Sequence, residues 1–366
     1  MRKIFAAVVL TFLSVVLVSM NSYAITGVCV NCHTMHNSQD NAPMANRVFD
    51  SGSVTTSATP QGLLLRGNCI GCHSDNSNQS ILTLNTVNYP IVYSITGYPS
   101  QPLAGGNFRP VVVTGNGYGH NVAVIASVEN MAPPGFVNAS SAEPAGFTQG
   151  GSGWGPTSWS AGTQVTCAGQ MGCHGDRSVG YDDNDGIRGG HHGNKSSFTD
   201  LDGTTVGKSY RFLAGIKGAE DSDWEQTTTS TNHNYYYGVN NYSSSNTISY
   251  LCGECHGNFH ANSSLGGTSE VGSGSPWLRH PTDIALTAHT GGTFTTDYTS
   301  YSTETPVAYS SVTTSSTVDS SSIVMCLSCH AAHANQELDI LRFHYADVVA
   351  GGGGSVGCLR CHSGVR

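Results

Sequence analysis

All twelve cysteines of this 366-residue chain fall into one pattern, a pair of cysteines with histidine directly after the second. Five copies are strict C-x-x-C-H: Cys29-Cys32-His33, Cys69-Cys72-His73, Cys252-Cys255-His256, Cys326-Cys329-His330 and Cys358-Cys361-His362. The sixth, Cys167-Cys173-His174, is stretched, with five residues between its thiols. This spacing is the signature of covalent c-type haem: two thiols become thioethers to the porphyrin and the adjacent imidazole binds iron. A disulfide framework, the usual reading of a cysteine-rich exported chain, gives no reason for the six histidines. The residues therefore predict six covalent haems with His33, His73, His174, His256, His330 and His362 as proximal ligands. In the stretched copy Gly169 and Gly172 let the linker bulge; a Cys167–Cys173 disulfide is the alternative.

Six proximal histidines leave ten of the sixteen, enough for a second imidazole on every iron. Methionine is the competing axial ligand and raises the potential, but only Met44 and Met131 stand clear of the amino-terminal segment and the motifs. His36, His260 and His333 each follow a proximal His by three or four residues. That tether is too short to reach the far side of the same iron but can serve an adjacent one. His120 in Gly119-His120-Asn121 and His280 in Arg279-His280-Pro281 sit in turns. These five and His192, preferred over its neighbour His191, form the expected distal set. His289 and His344 are reserves, and His233, in a polar tract, is read as no ligand.

The elements that must position these groups are sparse. Residues 1–24 read as a secretory signal: Arg2 and Lys3, an apolar run over 6–20, and Ser22-Tyr23-Ala24 as the cleavage site. No stretch reaches the length of a membrane span. Net charge is −9, more negative without Arg2 and Lys3, which disfavours nucleic acid as a partner. With 45 glycines and 11% charged residues, too little aliphatic surface is expected for an ordinary core, so loops should wrap the porphyrins. Motif histidines lie 40, 101, 82, 74 and 32 residues apart, which excludes a repeat array. The expected fold is mostly irregular coil with few short helices and strands, one multihaem domain over residues 25–366. A helix is predicted over 336–350, and strands over 81–87, 111–114 and 122–126. Asp182-Asp183-Asn184-Asp185-Gly186 is a weak calcium-loop match, and Glu220, Asp221, Asp223 and Glu225 read as a solvated acidic face.

The run Cys29-Val-Asn-Cys-His-Thr-Met-His-Asn-Ser38 resembles the start of the filament-forming hexahaem extracellular cytochromes of metal-reducing bacteria, the OmcS type. The likeness continues, in order, through Gly119-His120-Asn121, Trp277-Leu-Arg-His280-Pro281, Cys326-Leu-Ser-Cys-His-Ala-Ala-His-Ala334, Leu341-Arg-Phe343 and the Cys358 motif. It implies a serpentine line of close, low-spin, bis-histidine haems. It also implies that His36 ligates a haem of the next subunit, the one attached at Cys326 and Cys329. The stretched third motif and the His191-His192 pair depart from that pattern.

No acid–base dyad or nucleophile stands out, so the expected role is electron transfer and not catalysis. The expected protein is extracellular, exported through the periplasm, and assembled end to end into a conductive homopolymer that exchanges electrons with partner cytochromes and external acceptors. A monomeric periplasmic or surface shuttle is the first alternative. A multihaem reductase with one open iron is the second.

Overall fold

The computed structural model describes residues 27–39, 42–43, 46–50, 53–56, 60, 62–84, 86–129, 131–136, 156–180, 183–193, 200–227, 229, 231–260, 280–286, 298–312, 317–349 and 356–362. The signal-like segment, Met44, His289 and Trp277 to Arg279 lie outside them. Among the described residues no helix exceeds six residues, and no helix is long and apolar enough to cross a membrane. Coil dominates, as the composition predicts.

Each strict motif begins as one turn of helix, which brings the two cysteines to one face. Cys69–His73 starts where Asn68 Oδ1 accepts the Gly71 N–H at 2.7 Å. Ile248–Gly253 starts where Thr247 Oγ1 accepts the Tyr250 N–H at 3.2 Å. Both are ordinary N-caps that satisfy amides the short helix cannot. Cys29–Asn31 and Cys326–Ser328 are 3₁₀ turns, and Cys358–Cys361 is a single α turn.

The stretched copy folds differently. Thr166–Ala168 and Gly172–His174 pair as parallel strands with Gly172 opposite Thr166 and His174 opposite Ala168. Cys173 thereby comes level with Cys167 despite the longer linker, and no two of the twelve cysteines are bridged. Gly172 is required: a Cβ there would lie 2.5 Å from the Ala168 nitrogen.

A conventional core exists as well, contrary to the expectation from composition. Six short strands form one sheet in the order Asp200–Leu201, Gly218–Ala219, Tyr235–Tyr237, Ala308–Tyr309, Ile323–Val324, Ile284–Ala285. Only the Tyr235–Tyr237 and Ala308–Tyr309 pair is parallel. Strand alternation sends Ile323 and Val324 to opposite faces. Ile323 joins Tyr210, Ile216, Tyr236, Leu251 and Met325; Val324 joins Ile284, Tyr298, Tyr301, Val307 and Val318. Each such fully buried side chain contributes about 2 kcal/mol. The aliphatic residues are few, but the sheet concentrates them in two clusters.

Three predicted elements differ. The described residues of the predicted helix 336–350, which end at 349, form 3₁₀ turns at Leu338–Ile340 and Tyr345–Asp347, with Asp339 and Ile340 at φ of 59° and 61°. The Asp339 carbonyl is turned onto His330, and Leu341 bridges to His330, so anchoring that imidazole overrides helical propensity. Arg109–Val113 is a helix with Pro110 in its first turn, not a strand; proline presets the helical φ there. Residues 122–126 are a turn with one bridge, Val122 to Val165. Only 81–87 keeps strand character, as the hairpin Ile81–Leu84 with Val87–Pro90.

A buried ion pair ties two motifs together. Arg177, three residues past His174, donates from Nε and Nη2 to Glu254, between Cys252 and Cys255, at 3.0 and 3.2 Å. Both side chains are 3% exposed. Removing one partner strands a charge in a dry site. Arg177→Met is expected to destabilise the protein by about 3–5 kcal/mol. The double variant Arg177→Met/Glu254→Leu should recover much of that loss, measured by denaturant melting.

Candidate haem-ligand constellation

Five pairs of imidazoles face one another, each joining one motif histidine to one outside the motifs. Ring centroids are 6.0 Å apart for His33–His192 and 6.1 Å for His73–His191. They are 6.1 Å apart for His174–His333, His120–His256 and His280–His362. The distance is constant while the interplanar angle runs from 24° to 73°. Ring packing would couple the two, since contact distance changes as rings tilt. A fixed separation with free rotation is what two ligands on opposite sides of one metal produce. With metal–nitrogen bonds of about 2 Å and about 1.1 Å from nitrogen to ring centre, the centroids fall roughly 6 Å apart. The residues present fit a six-coordinate haem iron at five of the six motifs.

Orientation is fixed from the other ring nitrogen. Nδ1 donates to a backbone carbonyl in His33 (Leu64, 3.2 Å), His73 (Pro90, 2.9 Å), His174 (Arg211, 2.8 Å) and His256 (Pro134, 2.7 Å). It does so also in His330 (Asp339, 2.8 Å), His120 (Ala332, 2.8 Å) and His280 (Pro281, 2.8 Å). This bond selects the tautomer whose Nε2 lone pair is open to a metal. Burial, reinforced by neighbouring imidazoles, pushes His120 down to about 4 and His333 to about 3. Burial also lowers His73 and His256. These rings are therefore neutral at physiological pH, as ligation requires.

His330 carries the same Nδ1 anchor and is exposed, and among the described residues no second imidazole stands opposite it. His36 is also exposed, with φ of 55°.

The histidine placement corrects the sequence reading at two points. His260 does not face a motif histidine: it is 1% exposed and its Nε2 lies 2.8 Å from Asp283 Oδ2. The nitrogen that would bind iron is held by a carboxylate, so sequence proximity to His256 misled. His191, passed over in favour of His192, has its own partner, and the two consecutive residues serve two successive motifs. The presence of two histidines where one was needed was the available signal. His233 stacks on Tyr301 at 3.5 Å in the core, away from the pairs. His344 lies near Asp347 on the surface, and Met131 is exposed. In the weak calcium-loop match, Asp183–Gly186 is one helical turn and Asp185 pairs with Arg188; Asp182 lies outside the described residues.

The six motifs follow one another in space in sequence order. Cys32 and Cys72 pack on the same Val87-Tyr89-Ile91 cluster. Phe212 sits 5.2 Å from His191, and its neighbour Arg211 supplies the carbonyl for His174. The His333 carbonyl accepts the His120 N–H at 3.0 Å, joining third and fourth. The Cys326 N–H donates to Ser249 Oγ at 3.3 Å beside the fourth motif. Cys329 lies near Cys358 and Cys361. The strap 330–334 alone supplies His330 to the fifth motif, His333 to the third, and the Ala332 carbonyl for His120. It is seated by Gly106 (φ 81°), where a Cβ would fall 1.9 Å from the Ala334 oxygen.

On the expectation that facing imidazoles ligate haem iron, His191→Ala and His192→Ala should each convert one low-spin haem to a ligand-accessible form. Carbon monoxide binding by the reduced protein and magnetic circular dichroism measure it. His260→Ala should leave the haem spectrum intact while costing about 3 kcal/mol, because Asp283 stays buried without its partner.

No family model matches the chain, and no curated protein does. Two solved structures are similar to it. One is an outer membrane cytochrome S filament from Geobacter sulfurreducens, 18% identical over 89% of this chain and 85% of that one, with a TM-score of 0.42. The other is OmcS nanowires from Geobacter sulfurreducens seen by cryo-electron microscopy, 18% identical over 89% and 86%, with a TM-score of 0.42.

Proposed function

We propose that the chain, as one unit over residues 25–366, carries six covalent c-type haems and conducts electrons along them. The observation that carries this reading is the set of five imidazole pairs at 6.0–6.1 Å, each including a motif histidine. Bound haem iron supplies reversible one-electron chemistry, and two nitrogen ligands favour low potentials. The chain's own part is positional. Twelve cysteines fix the macrocycles, paired imidazoles saturate the metals, and backbone carbonyls hold the rings in orientation. Saturation on both sides leaves no coordination site for substrate, so the protein acts as a conductor and not a catalyst.

The sixth site supports assembly. His330 is oriented like the other ligands and lies at the surface, and His36 is an exposed imidazole near the first motif. His36 of one subunit ligates the haem held by Cys326, Cys329 and His330 of the next, giving a continuous homopolymer. The secretory signal over residues 1–24 directs the protein to the cell exterior, where it meets partner cytochromes and external electron acceptors. The exposure of His330 also has a second reading, an open iron in a multihaem reductase.

One set of measurements separates these readings. Mass spectrometry of the purified protein is expected to give six haem increments, and Cys167→Ser/Cys173→Ser five. Five increments in the parent protein would remove the third site. Electron microscopy should show filaments whose reduced form does not bind carbon monoxide. His36→Ala is expected to give single subunits that bind about one equivalent per chain. Carbon monoxide binding by the unaltered filaments would favour the open iron, and unchanged filaments in His36→Ala would reject the inter-subunit bond.

A further inference from the structure

Two buried carboxylates of this chain are held by guanidinium groups, Glu254 by Arg177 and Glu220 by Arg211 at 3.1 Å. Glu220 belongs to the acidic run 220–225, which is not the solvated face its composition suggests. Glu220, Asp221 and Glu225 are 7%, 2% and 4% exposed, and Glu225 accepts the Asn234 N–H at 2.5 Å. Asp283 differs from these. It is fully buried, and the group beside it is an equally buried imidazole, with His260 Nε2 2.8 Å from Asp283 Oδ2. A guanidinium keeps its proton at any working pH, whereas an imidazole changes charge in the physiological range.

The pair lies against two haem-attachment motifs. A Cβ on Gly253, between Cys252 and Cys255, would fall 2.7 Å from His260 Cβ and 2.8 Å from its Nδ1. The imidazole therefore rests on the turn that carries both cysteines of the fourth motif. Asp283 Oδ2 also accepts the Thr247 hydroxyl at 3.3 Å, and Thr247 caps the helix from which that turn is made. Ser249 of the same helix takes the Cys326 N–H of the fifth motif at 3.3 Å. From behind, the Asp283 N–H donates to the Val324 carbonyl at 2.8 Å, which fixes the carboxylate to the sheet.

Among the described residues, the titratable groups that face the pair are Tyr250 and Cys326. The Tyr250 ring stands edge-on to His260 at 5.7 Å. Cys326 is near both partners, and thioether formation leaves its sulfur uncharged. Glu254, next to Gly253, is matched by Arg177. The strands behind Asp283, Ile284–Ala285 and Ile323–Val324, bring no charge. With one proton the pair is neutral overall; without it, the pair carries −1 in a dry site. Burial pushes the Asp283 carboxyl above the usual carboxylate range, which favours the protonated pair.

We propose that His260 and Asp283 take up one proton when the haem of the fourth motif is reduced, so that electron flow there is coupled to proton binding. The inference rests on the proposed function. An electron arriving from a neighbouring haem turns ferric iron to ferrous and removes one positive charge from beside the pair. The deprotonated pair, imidazole with carboxylate, then binds a proton from solvent and becomes neutral. Reoxidation sends the electron to the next haem and returns the proton to solvent. Charges so close in a dry site are weakly screened. The reduced form thus binds the proton more tightly, and the potential of this haem falls as pH rises through the titration of the pair.

The test uses purified haem-loaded protein, reduced in weakly buffered solution while proton uptake is counted, and titrated against potential at a series of pH values. Proton affinity about tenfold higher in the reduced form is expected, a fall in potential of about 59 mV across the titration. That difference corresponds to about half a proton taken up per molecule at the midpoint. Asp283→Asn removes the countercharge of the imidazole and should move this uptake to lower pH. The double variant His260→Leu/Asp283→Asn buries no charge and should abolish it, leaving any uptake by haem propionates in place. Either variant serves if the other fails to fold, the haem spectrum reporting folding. Uptake and potentials with the same pH dependence in parent and variant would overturn the proposal. So would a parent that takes up no proton on reduction between about pH 5 and 9. Protein without haem would fail the proposed function, whereas haem-loaded protein with unchanged proton uptake would fail this inference alone.

Discussion

The hydrogen bond from imidazole Nδ1 to a backbone carbonyl is the constraint on which the rest of this structure depends. A histidine side chain turns freely about two torsions, and both nitrogens can bind a proton or a metal. Tying Nδ1 to Leu64, Pro90, Arg211, Pro134, Asp339, Ala332 or Pro281 removes that freedom and aims Nε2. Some of the carbonyls come from far away in sequence, with 122 residues between His256 and Pro134 and 212 between His120 and Ala332, while Pro281 adjoins His280 and Asp339 lies nine residues from His330. The irregular backbone leaves such carbonyls available, because regular elements consume most of their own internally.

The same requirement explains the local strain. Asp339 and Ile340 adopt left-handed φ values where a helix was expected, and Arg211 and Phe212 do so beside His174. In each case a non-glycine residue accepts an unfavourable conformation so that its carbonyl, or its neighbour's, meets a motif histidine ring. Such strain persists only where the surroundings over-determine it. Here the four-acceptor grip of Arg342 on Leu327, His330, Thr303 and Ala104 does so for the strap.

The attachment chemistry was legible in the sequence because it is local: two thiols and a histidine within one helical turn. The distal set was legible only in part. His120, His192, His280 and His333 stand opposite motif histidines, while His260 and His191 exchange roles relative to expectation. Sequence distance ranks a histidine by its tether, but occupancy of its nitrogens decides, and Asp283 is invisible from position 260. The sheet was missed because two-residue strands carry no periodic signal. The acidic run was misread because its partners, Arg211 and Asn234, arrive from other segments.

The widening angle between facing rings has a consequence for energetics along the line. From first motif to last the planes open from 24° and 24° through 47° and 53° to 73°. Nearly parallel imidazoles donate into the same iron d orbital, whereas crossed ones divide their donation between two. Metals held between these five pairs would thus differ in orbital splitting and magnetic anisotropy despite identical ligand atoms. A conductor assembled from such units would carry a polarity written in ring torsions, with no change of amino acid at the metal.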